Sequence, residues 1–272
     1  MITITIANQK GGVGKSTTVA MVATDLALRG YRTLAVDVDP QANLTSVFLD
    51  PSTVTSSLSE VLVTRPNSPY ATLQEVILTT QVNDLDLLPS TLSLAQFDRG
   101  TSMSVGRLRK VLREEVEHIY DFCVIDTPPN LGLLLSAALI AANHVIIPVQ
   151  AAAWALSAIQ DLLPVIEEAR EMNVNINLLG AVCTLLDQRV NVSGQSYMWL
   201  KEMLKDKTFD TIIHRTAKLE EAPIIHQPIQ LYSPHSRAAE NYADLTSEIL
   251  QRLGLTEKRE STLRVIAGSE SA

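Results

Sequence analysis

The chain has 272 residues and a formal net charge of −8; 46% of its residues are hydrophobic and only 4% are aromatic. This excludes a disordered chain and predicts an aliphatic core in one large domain or two small ones, at roughly 100–200 residues per domain. Two cysteines and five scattered histidines exclude a disulfide framework, a four-thiolate metal site and an HExxH zinc site. The acidic balance means that any nucleic-acid contact must come from a local patch.

Met1 leads directly into Ile2-Thr3-Ile4-Thr5-Ile6 with no basic segment ahead, so no secretion leader is expected. In chain order, strands are expected at Ile2–Ala7, Arg32–Asp37, Leu85–Pro89, Phe122–Asp126, His144–Val149, Leu178–Leu185 and Thr211–Ile213. Helices are expected at Lys15–Arg29, Val105–Glu117, Leu131–Ala142, Ser157–Glu171, Ser193–Lys205 and Arg237–Leu253. Gly30 sits where a left-handed residue would close the first helix. Strand, helix and strand at this spacing predict right-handed crossovers and an α/β fold: a central, mostly parallel twisted sheet flanked by helices on both faces. Cys123-Val124-Ile125 and Val145-Ile146-Ile147 are continuously apolar, as strands covered on both faces should be, whereas the first strand alternates Ile with Thr and fits less well. Both cysteines, Cys123 and Cys183, lie in apolar runs and read as small buried hydrophobes.

The segment Asp50–Thr101 is rich in Ser, Thr and Pro and reads as an excursion of loops and short helices. No Asp, Glu, Lys or Arg occurs from Thr127 to Gln160, but Asn143-His144, Pro148 and Gln150 interrupt the stretch. It therefore reads as a buried helix, strand and helix, because a membrane span needs about 20 uninterrupted apolar residues. A single domain is expected over 1–255, followed by a polar, frayed tail at 256–272.

Lys10-Gly11-Gly12-Val13-Gly14-Lys15-Ser16-Thr17 follows the first strand and opens the first helix. Glycines let the backbone curl so that its N–H groups converge, and the helix N-terminus adds partial positive charge for a phosphate. Lys15 can reach the β- and γ-phosphates of a nucleotide, and the Ser16 hydroxyl can bind Mg²⁺. The common G-x-x-x-x-G-K-[ST] pattern would need glycine at the position of Gln9; this loop carries an extra lysine, Lys10, instead. Asp37 and Asp39 follow the second strand, and Asp126 ends the apolar run Val124-Ile125-Asp126. Carboxylates at the carboxyl ends of strands beside such a loop face the ligand crevice. Asp39 can orient an attacking water and hold a Mg²⁺-bound water, Asp126 can complete a Mg²⁺ shell, and Asp37, nearer the strand, reads as structural.

On these residues the chain resembles the ParA/Soj family of partition ATPases, within the deviant-Walker-A group. The blocks that carry the resemblance are Lys10–Thr17, Asp37–Asn43, Leu88-Pro89-Ser90, Val124–Leu134 and Val145–Gln150 followed by Ala155-Leu156. Leu219-Glu220-Glu221-Ala222-Pro223 and Ser236-Arg237-Ala238-Ala239-Glu240 follow in family order. The resemblance implies ATP and Mg²⁺ as ligands, with Lys10 to Thr17 (Lys10, Gly11, Gly12, Val13, Gly14, Lys15, Ser16, Thr17) as the phosphate site. It implies that Lys10 crosses a sandwich homodimer to the partner's ATP and lends charge to the transition state. Lys15 and Asp39 are then the remaining catalytic residues, with Ser16, Asp39 and Asp126 around the metal. It further implies non-specific DNA binding through Arg189, Arg215 and Lys218, release from DNA on hydrolysis, a ParB-type partner and a nucleoid-associated, cytoplasmic location. From Asp187 to Lys218 six basic residues stand against four acidic ones, a local excess of positive charge in an acidic chain.

His214 and Thr216 stand where many relatives have proline and asparagine, in a loop expected to border the adenine. The chain starts at its first strand, so operator-specific autoregulation through an N-terminal extension is not expected. A membrane-cycling MinD-type relative would need a C-terminal amphipathic helix with a basic face, and residues 257–272 supply few apolar anchors. An iron–sulfur reductase would need thiolates at a dimer seam, which Cys123 and Cys183 do not suit. A non-hydrolysing switch would not need Asp39 and Lys10. Within the family, a relative that positions a carboxysome or chemotaxis cluster would share every one of these motifs.

Overall fold

The computed structural model describes residues 1–63, 70–101, 104–150, 155–186 and 191–256 together with Lys258; over 155–158 and 191–196 it describes the backbone. Eight strands form one sheet in the order β3-β4-β2-β5-β1-β6-β7-β8. They are β1 (Ile2–Ile6), β2 (Thr33–Asp37), β3 (Leu78–Thr79), β4 (Leu85–Leu88), β5 (Phe122–Asp126), β6 (His144–Gln150), β7 (Asn177–Leu186) and β8 (Thr208–His214). Every pairing is parallel except β3 with β4. The expected strands are all present, with β8 longer at both ends than its apolar centre suggested. The short antiparallel β3, inside the irregular excursion, was not expected.

Helix α1 (Lys15–Leu28) stops at Arg29, and Gly30 turns the chain at φ 84°, as its position implied. Beyond β2 come the short helices α2 (Asn43–Phe48), α3 (Leu58–Leu62) and α4 (Leu73–Val76). The helix expected over Val105–Glu117 is α5 (Arg107–Val111), which widens into an i→i+5 turn over Leu112–Val116. Then follow α6 (Leu133–Ala141), α7 (Ala155–Met172), α8 (Asn191–Leu204), α9 (Ala217–Ile225), α10 (Ile229–Tyr232) and α11 (Arg237–Arg252). The charge-free stretch is thus α6, β6 and the start of α7, and no helix among the described residues is long and apolar enough to cross a membrane.

Two aliphatic cores cover the two faces of the sheet. On one face α1, α2 and α9–α11 bury Ile4, Ile6, Ala35, Val124 and Ile146; on the other, α3–α8 bury Leu34, Val36, Ile125, Val145 and Ile147. The alternation in β1 does not mark a solvent face. Thr3 and Thr5 are buried, and the Thr5 hydroxyl donates to the Ala138 carbonyl of α6 at 2.9 Å. A buried hydroxyl costs little once it is hydrogen-bonded, so β1 runs between two cores despite its pattern. Burial pushes the thiols of Cys123 and Cys183 up to about 12, which makes both inert in the core and unsuited to a shared cluster.

The last helix is fixed to the sheet edge by a charged clamp. Glu248 accepts the Asp210 and Thr211 amides at 2.9 Å each, and Arg252 stacks 4.0 Å from the Phe209 ring. Arg252 also donates to the carbonyls of Leu179, Asp206 and Thr208. Gly180 leaves room for this contact: a Cβ there would lie 2.6 Å from the Lys207 carbonyl and 2.9 Å from both the Arg252 guanidinium and the Phe209 ring. Gly180→Ala should therefore destabilise the fold by about 1–3 kcal/mol, lowering the melting temperature by several degrees. An unchanged thermal melt would show that the clamp has more room than this geometry allows.

Candidate functional site

Loop and helix start follow from backbone conformation. Gly12 and Gly14 adopt φ 74° and 84°, left-handed values that other residues adopt at a cost, and they curl the chain between β1 and α1. The loop is pinned from outside. Asn8, buried at the end of β1, donates through Nδ2 to the Pro148 carbonyl of β6 at 2.7 Å and accepts the Lys10 amide on Oδ1 at 2.9 Å. Thr184 of β7 donates its hydroxyl to the Val13 carbonyl at 2.8 Å. Lys15, 7% exposed, reaches back so that Nζ donates to the Lys10 carbonyl at 3.2 Å. Burial lowers its proton affinity, and the charges of Asp126 and Asp39 oppose that shift.

Three buried carboxylates gather at the ends of the neighbouring strands. Asp37 and Asp126 are direct partners in the β2–β5 register. Asp37 is fully committed: Oδ2 accepts the Thr45 amide at 2.8 Å and the Thr45 hydroxyl at 2.7 Å, and Oδ1 accepts the Asp39 amide at 3.1 Å. It anchors the first turn of α2, which confirms its structural reading. Asp39, 4% exposed, accepts the Gln41 amide at 3.0 Å and faces the cleft. Asp126 is different. It is completely buried, yet among the described residues neither carboxylate oxygen has a hydrogen-bond partner of ordinary geometry. Burial raises its proton affinity well above the usual carboxylate range and Asp37 adds to this, while the nearby Ser16 hydroxyl and Lys15 oppose it.

A cleft of about 360 Å³ opens beside Asp39. Its floor is Gly11, Gly12, Gly14, Lys15, Ser16 and Thr17, with Asp39 beside them. Lys10 stands at the loop entrance and Val13 is buried beneath it. Away from the loop the apolar part of the wall comes from Val47 of α2, Ile213 of β8, Leu219 and Pro223 of α9, and Tyr242 of α11, with Asn43, Ser46 and Glu220 among its polar residues. Thr216 lines the cleft as expected for its loop. His214 instead turns to α11, with Nδ1 3.1 Å from Asn241 Oδ1 and the Arg237 guanidinium 2.9 Å from Nε2. Sequence reasoning missed Tyr242, whose hydroxyl lies 3.4 Å from that of Thr18 and is pushed up to about 12 by burial. In the sequence it is one more apolar position of an amphipathic helix.

The donor set fits Mg²⁺. This ion usually takes one or two carboxylates, several waters and substrate phosphates rather than an all-protein cage. The orphaned oxygens of Asp126, with Ser16 and Asp39 beside it, match that demand. Among the described residues no group of three or more His, Cys, Asp and Glu forms a cage of its own.

The expected DNA residues are only partly placed. Arg215 and Lys218 lie together where β8 enters α9, both exposed; Arg215 ion-pairs with Glu220 at 3.5 Å, and Lys218 Nζ donates to Ser233 at 2.7 Å. Arg189 lies outside the described residues.

A family model described as an AAA domain matches residues 1–179. The chain is 38% identical over 250 residues to the sporulation initiation inhibitor protein Soj of Bacillus subtilis, across 90% of this chain and 97% of that protein. It belongs to the ParA/Soj family of partition ATPases. The chromosome-partitioning ATPase Soj of Thermus thermophilus is 36% identical over 254 residues, across 92% of this chain and 96% of that one. Among solved structures, cobyrinic acid a,c-diamide synthase of Mycobacterium smegmatis with ADP and magnesium superposes with a TM-score of 0.78 at 28% identity, covering 93% of this chain and 96% of that one. A putative plasmid partition protein of Borrelia burgdorferi bound to AMPPNP gives 0.77 at 26% identity, covering 92% and 99%. The ParA/Soj chain is thus a P-loop ATPase by fold and family.

Burial pushes Asp37 up to about 7, against the Thr45 and Asp39 hydrogen bonds that favour its charged form. The folded state then holds this proton more tightly than the unfolded chain, whose value is near 3.8. Stability should fall as pH rises from about 4 towards about 7 and level off above, where both states are deprotonated. Asp37→Asn should flatten that slope in thermal melts without metal or nucleotide; an equal slope in the variant would contradict the assignment.

Proposed function

We propose that this ParA/Soj ATPase binds Mg·ATP in the cleft, forms an ATP-dependent sandwich homodimer that holds DNA without sequence preference, and releases DNA when it hydrolyses ATP to ADP and phosphate. The observation that carries this reading is the convergence of Gly11, Gly12, Gly14, Lys15, Ser16, Thr17 and Asp39 on one cleft, with Asp126 buried beside Ser16 and Lys15. The nucleotide- and magnesium-bound relatives support the choice of ligand.

The roles follow from position. The loop amides and the N-terminus of α1 bind the phosphates, and Lys15 supplies a charge buried beside them. Ser16 and Asp126 would hold Mg²⁺, which would supply a Lewis acid to the phosphate chemistry. Asp39, at the cleft side of its turn, positions the attacking water. Lys10 crosses to the partner subunit's ATP and stabilises transition-state charge, as an arginine finger does, an effect worth about 10³–10⁵ in rate in related enzymes. Arg189, Arg215 and Lys218 contact DNA phosphates. A ParB-type partner and DNA accelerate an otherwise slow turnover, so hydrolysis times each cycle of nucleoid binding, and the cargo is plasmid or chromosome DNA.

Two experiments test this. Lys15→Ala should lose nucleotide binding, and Asp39→Ala should keep ATP-dependent dimers and DNA binding while losing turnover by at least about 100-fold; sedimentation with ATP and phosphate release read both. Failure of Asp39→Ala to dimerise with ATP would reject its role as the water-positioning group alone. Arg189→Glu with Lys218→Glu should abolish DNA retention while sparing dimers, and in the unsubstituted protein each phosphate contact should add about 0.9 to the log–log salt slope. Unchanged DNA retention at low salt would reject the patch.

A further inference from the structure

We infer that Asn8 is a positioning residue for Lys10, and that it therefore governs hydrolysis in the neighbouring subunit rather than in its own. The inference rests on the reading that Lys10 acts across the dimer.

Asn8 occupies the last buried position before the loop, 1% exposed, and uses both ends of its amide. Its Nδ2 donates to the Pro148 carbonyl of β6 at 2.7 Å, which ties it to a strand adjacent to its own. Its Oδ1 accepts the Lys10 amide at 2.9 Å, closing an Asx turn two residues on. The amide orientation is set by these partners, because a carbonyl can only accept and an N–H can only donate. Lys10 is thus held through its backbone by a side chain that is itself held by the sheet. The rest of the loop has separate supports. Thr184 of β7 fixes the Val13 carbonyl, and the N-terminus of α1 is set by Gly12, Gly14 and the Thr18 amide donating to the Gly14 carbonyl at 2.8 Å. Removing the Asn8 side chain therefore releases the Lys10 amide, leaving the Lys10 backbone only the weaker Lys15 Nζ contact on its carbonyl at 3.2 Å, and leaves the phosphate-binding half of the loop supported from β7 and α1. A misplacement of about 1 Å at a group that acts on the transition state can cost about 100-fold in rate.

The consequence is a defect in trans, which a merely structural role would not produce. Mixed dimers separate the two. In the first arrangement, trace unsubstituted protein is mixed with excess Asp39→Ala chain that also carries Asn8→Ala. The only competent site then receives Lys10 from the substituted chain, and turnover per competent site should fall about 10- to 100-fold. In the second arrangement, trace Asn8→Ala chain is mixed with excess Asp39→Ala chain. The competent site now lies in the Asn8→Ala subunit but receives an intact Lys10, and turnover should stay within about two-fold of the control without Asn8→Ala. Asn8→Ser, whose hydroxyl can still accept the Lys10 amide in the same turn, should recover most of the rate in the first arrangement; Asn8→Leu, which fills similar space without an acceptor and should show the same defect in trans, stands in if Asn8→Ala does not fold. A defect confined to the second arrangement, an equal defect in both, or none in either would overturn the inference. Lys10→Ala in the same two arrangements is the control: if it shows no defect in trans, the dimer reading itself fails, whereas a defect in trans for Lys10→Ala without one for Asn8 removes only this proposal.

Discussion

Asp37, Asp39 and Asp126 converge beside one buried lysine, with little water to screen them. Two of the three are partners in the β2–β5 register, so the sheet forces them together. Asp37 is stabilised by three hydrogen bonds, but among the described residues neither oxygen of Asp126 has a partner of ordinary geometry. A bare buried carboxylate costs the fold stability unless it takes up a proton or meets a cation. The surrounding structure holds it there nonetheless, beside Ser16 and Lys15, which line the cleft. The same burial that penalises these groups makes them strong partners for a divalent ion arriving with a triphosphate.

The acidic cluster also connects distant parts of the molecule. Asp37 holds the first turn of α2 through Thr45, whose hydroxyl also accepts the Ser90 amide beyond β4 at 3.1 Å. The far end of α2 meets α9, where His226 Nδ1 donates to the Ser46 carbonyl at 2.7 Å. Helix α9 carries Lys218 and contributes Leu219 and Pro223 to the cleft wall. Asp37 and the basic residues at the β8–α9 junction are therefore joined by short, hydrogen-bonded links rather than by a flexible loop. Tyr242 and the Glu248–Arg252 clamp hold α11 against the same elements.

The parallel sheet was legible because its strands are short apolar runs separated by helices, and the phosphate loop because its glycines and lysines are local in sequence. Asp126 was legible as a strand-terminal acid, but its lack of partners was not, since that depends on what Ser16 and Lys15 do around it. The alternating Thr3 and Thr5 misled because the acceptor for Thr5 lies on α6, far along the chain. The helices α2, α9 and α10 are too short to show a period, and α9 contains Pro223. Strand β3 has only two residues. Asn8, Thr184 and Tyr242 were invisible as site residues for one shared reason: each acts through a partner brought near only by folding.

The central claim is that Asp126 awaits a metal-bound triphosphate in this cleft. Calorimetric titration of the protein and of Asp126→Asn with a non-hydrolysable ATP analogue, each with and without Mg²⁺, tests it most directly. The account predicts that Mg²⁺ tightens binding at least about 10-fold in the unsubstituted protein, roughly 1.4 kcal/mol, and that Asp126→Asn loses most of this gain while melting no lower on its own. Equal dependence on Mg²⁺ in both proteins, or no binding of the analogue to either, would contradict it.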